Sequence, residues 1–84
     1  MIELRAVLSA AFPGGVPESQ YLPLLTVLVE HLSLRNVADL IAAHTGREWP
    51  VVYNDALAAE SRAGELAAAA GEVHRLLERH GFKE

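Results

Sequence analysis

The sequence predicts an all-α fold: a compact bundle of four to five short helices in a single domain that spans residues 1–84. Apolar residues recur at the three- and four-residue spacing of an α-helix through most of the chain. Only residues 47–53 are rich in β-branched and aromatic side chains, and one strand cannot form a sheet. With 84 residues, of which 51% are hydrophobic, the chain can build one core and not two.

The first helix is predicted near the start of the chain, where four apolar residues fall at i, i+3, i+4 and i+7: Leu4, Val7, Leu8 and Ala11. Pro13 ends this helix because a residue that precedes proline is disfavoured in the α region. Residues 13–17, Pro-Gly-Gly-Val-Pro, then form a tight turn that is too short to separate two domains.

The second helix is predicted at about residues 19–32 and at the centre of the bundle. Ser19 is the expected N-cap, and Pro23 then falls in the first turn, where a missing backbone donor costs little. Apolar residues occupy most of the helix circumference, which is typical of a helix that neighbours cover on every side. They are Tyr21, Leu22, Leu24, Leu25, Val27, Leu28, Val29 and Leu32.

Ser33 is the predicted N-cap of the third helix, whose apolar face comprises Leu34, Val37, Ala38 and Ile41. Gly46 ends this helix, since glycine adopts the left-handed conformation of a C-terminal cap at little energetic cost. Only Ser33 separates the second helix from the third, so we expect a sharp corner between them.

A fourth helix is predicted to begin at Asn54 or Asp55, either of which can act as its N-cap, and to continue to about Arg62. Residues 47–53 before it are the ambiguous part of the chain and could form a short extended segment. Glycine weakens a helical pattern, so a break is expected near Gly64.

The last helix is predicted to end at Gly81, with Phe82 in contact with Leu77 in a Schellman motif. Its apolar face comprises Leu66, Ala69, Ala70, Val73 and Leu77. The predicted core of the whole bundle comprises Leu4, Leu8, Leu24, Leu25, Leu28, Ile41, Val73 and Leu77.

Composition narrows the class of protein. The chain has no cysteine, which excludes disulfides, thiolate metal sites and thiol nucleophiles and is typical of a reducing compartment. Its formal net charge of −4 argues against a general binder of polyanions. No basic segment precedes an apolar one at residues 1–5, and the apolar run at residues 21–29 is too short for a membrane span. We therefore expect a cytoplasmic protein.

The turn at residues 12–17 and the Tyr-Leu-Pro-Leu-Leu sequence at residues 21–25 resemble the signature of a small actinobacterial family, the domain of unknown function 3349. The resemblance weakens between residues 45 and 70 and returns at residues 72–82. Gln20 stands where the family has an acidic residue, and Phe82 stands where it tends to have tryptophan. The resemblance implies a cytoplasmic fold of about five helices and implies no activity.

No metal, cofactor or small-molecule site is predicted. The histidines, which are His31, His44, His74 and His80, do not pair with one another at a spacing of three or four, and we expect them to face solvent. His74 and Glu78 share a helix face, but two ligands do not make a metal site. The serines lie outside any Gly-x-Ser-x-Gly motif and the carboxylates lie among polar neighbours, so no enzymatic activity is predicted.

A degenerate helix-turn-helix protein is the alternative function considered. The third helix, a corner near Gly46 and the fourth helix could form such a motif, with Arg62, Arg75 and Arg79 as nucleic-acid contacts. The predicted recognition helix instead offers Asp55 and Glu60, which repel phosphate. Nucleic acid is therefore not the favoured partner.

A protein–protein interaction module is the favoured function. Arg47, Trp49 and Tyr53 are the candidate partner-binding residues, because tryptophan, tyrosine and arginine dominate interface energies. The competing hypothesis is that the two aromatic residues close one end of the core. A homo-oligomer is also considered, since an alanine face would let a second helix approach closely; its residues are Ala58, Ala59, Ala63, Ala67, Ala68 and Ala70.

Overall fold

A computed structural model describes residues 4–82 and contains five α-helices within them. They are α1 (Leu4–Ala11), α2 (Glu18–Leu28), α3 (Leu34–Thr45), α4 (Trp49–Ser61) and α5 (Ala63–Arg79). The described residues include no strand. Buried apolar side chains from all five helices form one cluster. The predicted all-α bundle is confirmed.

Helix α2 lies at the centre of the bundle, where it packs against both α4 and α5. Seven of its 11 residues are buried, and Leu24, Leu25 and Leu28 have no exposed surface. The only buried polar residue among those described is Thr26, whose hydroxyl donates to the Leu22 carbonyl at 3.0 Å. The apolar circumference of this helix therefore predicts its central position correctly.

Helix α2 begins one residue before the predicted start, and its N-cap is Pro17 and not Ser19. Pro17 is extended and precedes the helix, and the Gln20 amide donates to the Pro17 carbonyl at 2.9 Å. Ser19 lies inside the helix and caps nothing. Glu18 occupies the first turn, where its charge suits the positive end of the helix dipole. Pro23 is consequently in the second turn, where its missing N–H leaves the Ser19 carbonyl without the usual helical donor.

The predicted end of α2 is also wrong. The helix ends at Leu28, and residues 29–32 close in tighter turns, in which the amides of His31 and Leu32 both donate to the Leu28 carbonyl. These turns let the chain reverse before Ser33. The connection to α3 is therefore five residues long and not the single residue expected.

Both predicted caps of α3 are present. The Ser33 hydroxyl accepts from the Asn36 amide at 3.2 Å. Gly46 has a φ of 78°, in the left-handed region, and its amide donates to the Ala42 carbonyl. These side-chain and backbone preferences are local, which is why the sequence predicts both ends of α3.

Helix α4 starts five to six residues earlier than predicted. Glu48 is its N-cap, and Pro50 lies in the first turn, where proline loses no helical hydrogen bond. The suggestion of an extended segment is wrong from Trp49 onward, and neither Asn54 nor Asp55 is a cap. Burial of Val52 against the rest of the core outweighs the weak helix propensity of a β-branched residue.

A single residue, Arg62, separates α4 from α5, so residues 55–80 contain two helices. The break lies two residues before Gly64, which is inside α5. At the other end of α5, the Phe82 and Gly81 amides donate to the Leu77 and Glu78 carbonyls at 3.0 and 3.1 Å. Gly81 has a φ of 106°, and Phe82 is buried, so the Schellman motif is confirmed.

Seven of the eight predicted core residues are buried, and only Leu4 is half-buried. The prediction omitted the contribution of α4, which buries Val52, Ala56 and Ala59 completely. The extended interpretation of residues 47–53 accounts for the omission of Val52, whereas Ala56 and Ala59 lie within the helix that the sequence predicts.

Truncation of the central helix should destabilise the protein strongly. We expect Leu28→Ala to lower the free energy of unfolding by about 2–5 kcal/mol, because it leaves a cavity in a fully buried site. The matched control is Leu57→Ala, which removes the same atoms from a 41% exposed side chain and should change stability by about 0.5 kcal/mol. Urea denaturation measures both, and equal losses would show that α2 is not the centre of the core.

Substitution by alanine should change the stability of the protein in opposite directions at Gly46 and Gly71. Gly46→Ala should cost about 1 kcal/mol, because its φ is left-handed although no atom lies within 4 Å of an added Cβ. Gly71→Ala should stabilise the protein by about 0.5–1 kcal/mol, because Gly71 lies inside α5 and its added Cβ meets only Arg75 at 3.8 Å. Thermal unfolding of the two variants tests this, and the same direction of change in both would refute it.

Candidate functional site

The first turns of α4 bring two of the three predicted partner-binding residues together. Trp49 is the first residue of the helix and Tyr53 lies one turn later; their rings stack with centroids 5.3 Å apart and an interplanar angle of 22°. Leu57 lies a further turn along the same side and is 41% exposed. Each step of four residues along a helix rotates the side chain by only about 40° around the helix axis, so residues at i, i+4 and i+8 lie on nearly the same side. We call Trp49, Tyr53 and Leu57 the aromatic face.

Trp49 is held in place but remains accessible. Its indole N–H donates to Asp39 Oδ1 on α3 at 2.6 Å, and one side of the ring system stacks on Tyr53. The side chain is nevertheless 38% exposed. Tyr53 is half-buried against the core. The hypothesis that these aromatic residues close the core therefore describes Tyr53 better than Trp49.

Arg47, the third predicted residue, contacts α2. Its guanidinium lies 3.9 Å from the centre of the Tyr21 ring and donates to Glu18 Oε1 at 2.9 Å. This ion pair raises the pKa of Arg47 above its ordinary value. Arg47 therefore joins the loop between α3 and α4 to the start of α2, and its charge is already neutralised by a carboxylate.

A buried phenol extends this contact to α4. The Tyr21 hydroxyl donates to Asp55 Oδ2 at 2.8 Å. Burial, and after it the hydrogen bond to Asp55, raises the pKa of Tyr21 above its ordinary value. We call Glu18, Tyr21, Arg47 and Asp55 the anchoring network. It ties α2, the α3–α4 loop and α4 together, and so fixes the position of the aromatic face.

Sequence reasoning missed the polar partners of the site. Asp39 is ten residues from Trp49, Glu18 is 29 from Arg47, and Tyr21 is 34 from Asp55. No local pattern signals pairs so far apart. The acidic residues resemble ordinary hydrated carboxylates until the helices are placed.

The arginines of the alternative function do not form one surface. Arg62 pairs with Glu65 at 3.5 Å, and Arg75 and Arg79 lie one turn apart near the other end of α5. The 13 residues from Arg62 to Arg75 span about 20 Å along a helix. Although a short loop at residues 46–48 joins α3 to α4 as in a helix-turn-helix, α4 carries neither lysine nor arginine.

The histidines are not all solvent-facing. His44 and His74 are half-buried, which corrects the expectation, whereas His31 and His80 are exposed. The His31 and His74 rings lie 6.3 Å apart, and both contact the edge or face of Phe82. Among residues 4–82, no group of three or more side chains is arranged to hold a metal ion.

The alanine residues do not form a single face. Ala59 and Ala70 are buried in the core, whereas Ala63, Ala67 and Ala68 are exposed. Some of the small residues of α5 line a groove of about 230 Å³ beside α2, together with Glu30 and His74. Two of the six alanines of the predicted face are therefore in the core and Ala58 is half-buried, while the other three remain on the surface.

Comparison of the chain with family models, with curated proteins and with solved structures finds no match. None of the helices in the described range is long and apolar enough to cross a bilayer. Function must therefore be argued from the aromatic face, the anchoring network and the charges around them.

The raised pKa of Tyr21 makes a testable contribution to alkaline stability. Because the folded protein holds the phenol proton more tightly than the unfolded chain, stabilisation is complete below the unfolded pKa of about 10 and is lost as the pH rises above it. We expect the urea midpoint of the wild type to fall more steeply above pH 10 than that of Tyr21→Phe. Parallel pH profiles for the two proteins would show that Tyr21 has no such role.

Proposed function

We propose that this chain is a cytoplasmic protein–protein interaction module without catalytic activity, and that the aromatic face contacts the partner. The observation that carries the proposal is that the Trp49 side chain is 38% exposed although contacts with Asp39 and Tyr53 fix the position of its ring. A large side chain already held in one conformation loses little entropy on binding. Tryptophan is also among the residues that contribute most to interface energies.

The shape of the surrounding surface supports the same function. The indole, the half-buried phenol and the exposed Leu57 follow one another over two turns of a rigid helix. The described residues offer no metal site, and their arginines are spread over separate surfaces. An apolar ridge on a helix is suited to packing against another protein.

The resemblance to the domain of unknown function 3349 is part of this proposal. It depends on the turn at residues 12–17 and on the start of α2, which lead into the centre of the bundle. A small cytoplasmic domain of that kind agrees with the absence of cysteine. The resemblance itself names no partner.

The proposal is tested by affinity capture from a lysate of cells that express the protein. The baits are the wild type, Trp49→Ala, Leu57→Gln and Val51→Gln, each with and without nuclease. Val51 is the matched control, because it is an apolar residue of α4 that is 49% exposed but lies away from the aromatic face. We expect a partner protein to be retained by the wild type and by Val51→Gln and to be lost from the other two baits.

Two results would contradict this function. If nuclease treatment abolishes recovery of the partner, the result would favour nucleic-acid binding through the arginine residues of the alternative function. Recovery that is equal on all four baits would place the interface elsewhere on the molecule. Circular dichroism of each bait confirms that loss of binding does not follow from loss of folding.

A further inference from the structure

We propose that the partner of the aromatic face is a basic amphipathic helix that stacks an arginine on the exposed ring of Trp49. This inference rests on the proposed function and adds the chemical class of the partner to it. Three observations carry it: the charge of α4, the carboxylate beside Trp49, and the arrangement of Arg47 on Tyr21 in the same chain.

The first observation is the charge around the aromatic face. Helix α4 follows Glu48, contains Glu60 and has no basic residue in its 13 positions; its other carboxylate, Asp55, lies on the opposite side of the helix and accepts from Tyr21. Glu60 follows Leu57 by three residues, so it lies on the same side of the helix. At the other end of the face, Asp39 contacts Trp49. An apolar ridge with a carboxylate at each end is complementary to apolar side chains flanked by cations.

Neighbouring cations cancel only part of this charge. Arg47 is paired with Glu18 and Arg62 with Glu65. Arg35 lies one turn before Asp39 on α3 and is the basic residue nearest to it in sequence. Arg35 therefore offsets part of the charge of Asp39, whereas Glu60 has no basic neighbour on α4, in a chain whose formal net charge is −4.

The second and third observations concern how an arginine would bind. In the anchoring network, the Arg47 guanidinium covers an aromatic ring at 3.9 Å while it donates to a carboxylate at 2.9 Å. Trp49 presents the same combination, an exposed aromatic ring with the Asp39 carboxylate at its edge. A carboxylate has two oxygens, and the indole N–H uses one of them. Tryptophan is the strongest cation–π acceptor among the aromatic side chains.

The dimensions of the face favour a helical segment. From Trp49 to Glu60 the axis of α4 rises by about 16 Å, which is three turns of a helix. A partner helix that lies along α4 would place apolar residues on Tyr53 and Leu57 and basic residues near Asp39 and Glu60. Helices recognise such ridges through side chains spaced at i, i+3, i+4 and i+7.

The test is a selection from a displayed library of random 16-residue peptides on the immobilised protein. We expect the enriched peptides to carry a net positive charge and arginine at helical spacing from apolar residues. Fluorescence anisotropy then measures a selected peptide against variants. Trp49→Ala should weaken binding by about tenfold or more. Asp39→Asn, which keeps an oxygen that can accept the indole N–H, and Glu60→Gln should each weaken it severalfold at low salt.

Val51→Gln should leave the affinity unchanged, and Leu57→Gln provides a second variant of the face if Trp49→Ala does not fold. Enriched peptides that are neutral or acidic, yet lose binding with Trp49→Ala, would overturn this inference and leave the proposed function intact. If no variant of the aromatic face weakens peptide binding, or if the selection enriches no peptide, both this inference and the proposed function are overturned. If the protein self-associates and Leu57→Gln abolishes that association, the aromatic face binds a second copy of the chain, and this inference is overturned.

Discussion

The stability of the fold depends on the burial of the apolar surface of α2. Leu24, Leu25 and Leu28 are completely buried on a helix of only 11 residues, and even its threonine is inside. No single neighbour can cover a helix that is apolar around most of its circumference. Helices α4 and α5 both pack against α2, while α1 and α3 complete the cluster.

The burial of α2 also determines how α4 is held. Its N-terminal end carries a tyrosine whose ring is buried but whose hydroxyl requires an acceptor, since an unpaired buried hydroxyl is costly. Asp55 on α4 supplies that acceptor, and Arg47 covers the ring from the α3–α4 loop. These contacts fix the direction in which the chain enters α4. Asp39 and Tyr53 in turn hold the exposed ring of Trp49.

Local signals explain how much of this could be predicted from the sequence. The sequence predicts the helix caps because each cap depends only on residues within one turn of the helix end. These caps are at Ser33, Gly46 and Gly81. Trp49 was selected as a candidate by residue type, although the segment around it was expected to be non-helical. The structure shows the opposite, because tertiary burial of Val52 outweighs its local propensity. Asp39 is ten residues from Trp49 and could be assigned to the site only from the packing of α3 on α4.

The core residues and the exposed apolar residues of α4 lie on different sides of the same helix. Val52, Ala56 and Ala59 attach it to the core and have no exposed surface, whereas Trp49 and Leu57 contribute exposed area on another side. Substitution on the exposed side therefore removes little of the apolar burial that stabilises so small a domain. Because α4 packs on α2 and Asp39 holds the indole of Trp49, the aromatic face is already ordered in the free chain, and the partner that we propose would pay little entropy to bind it.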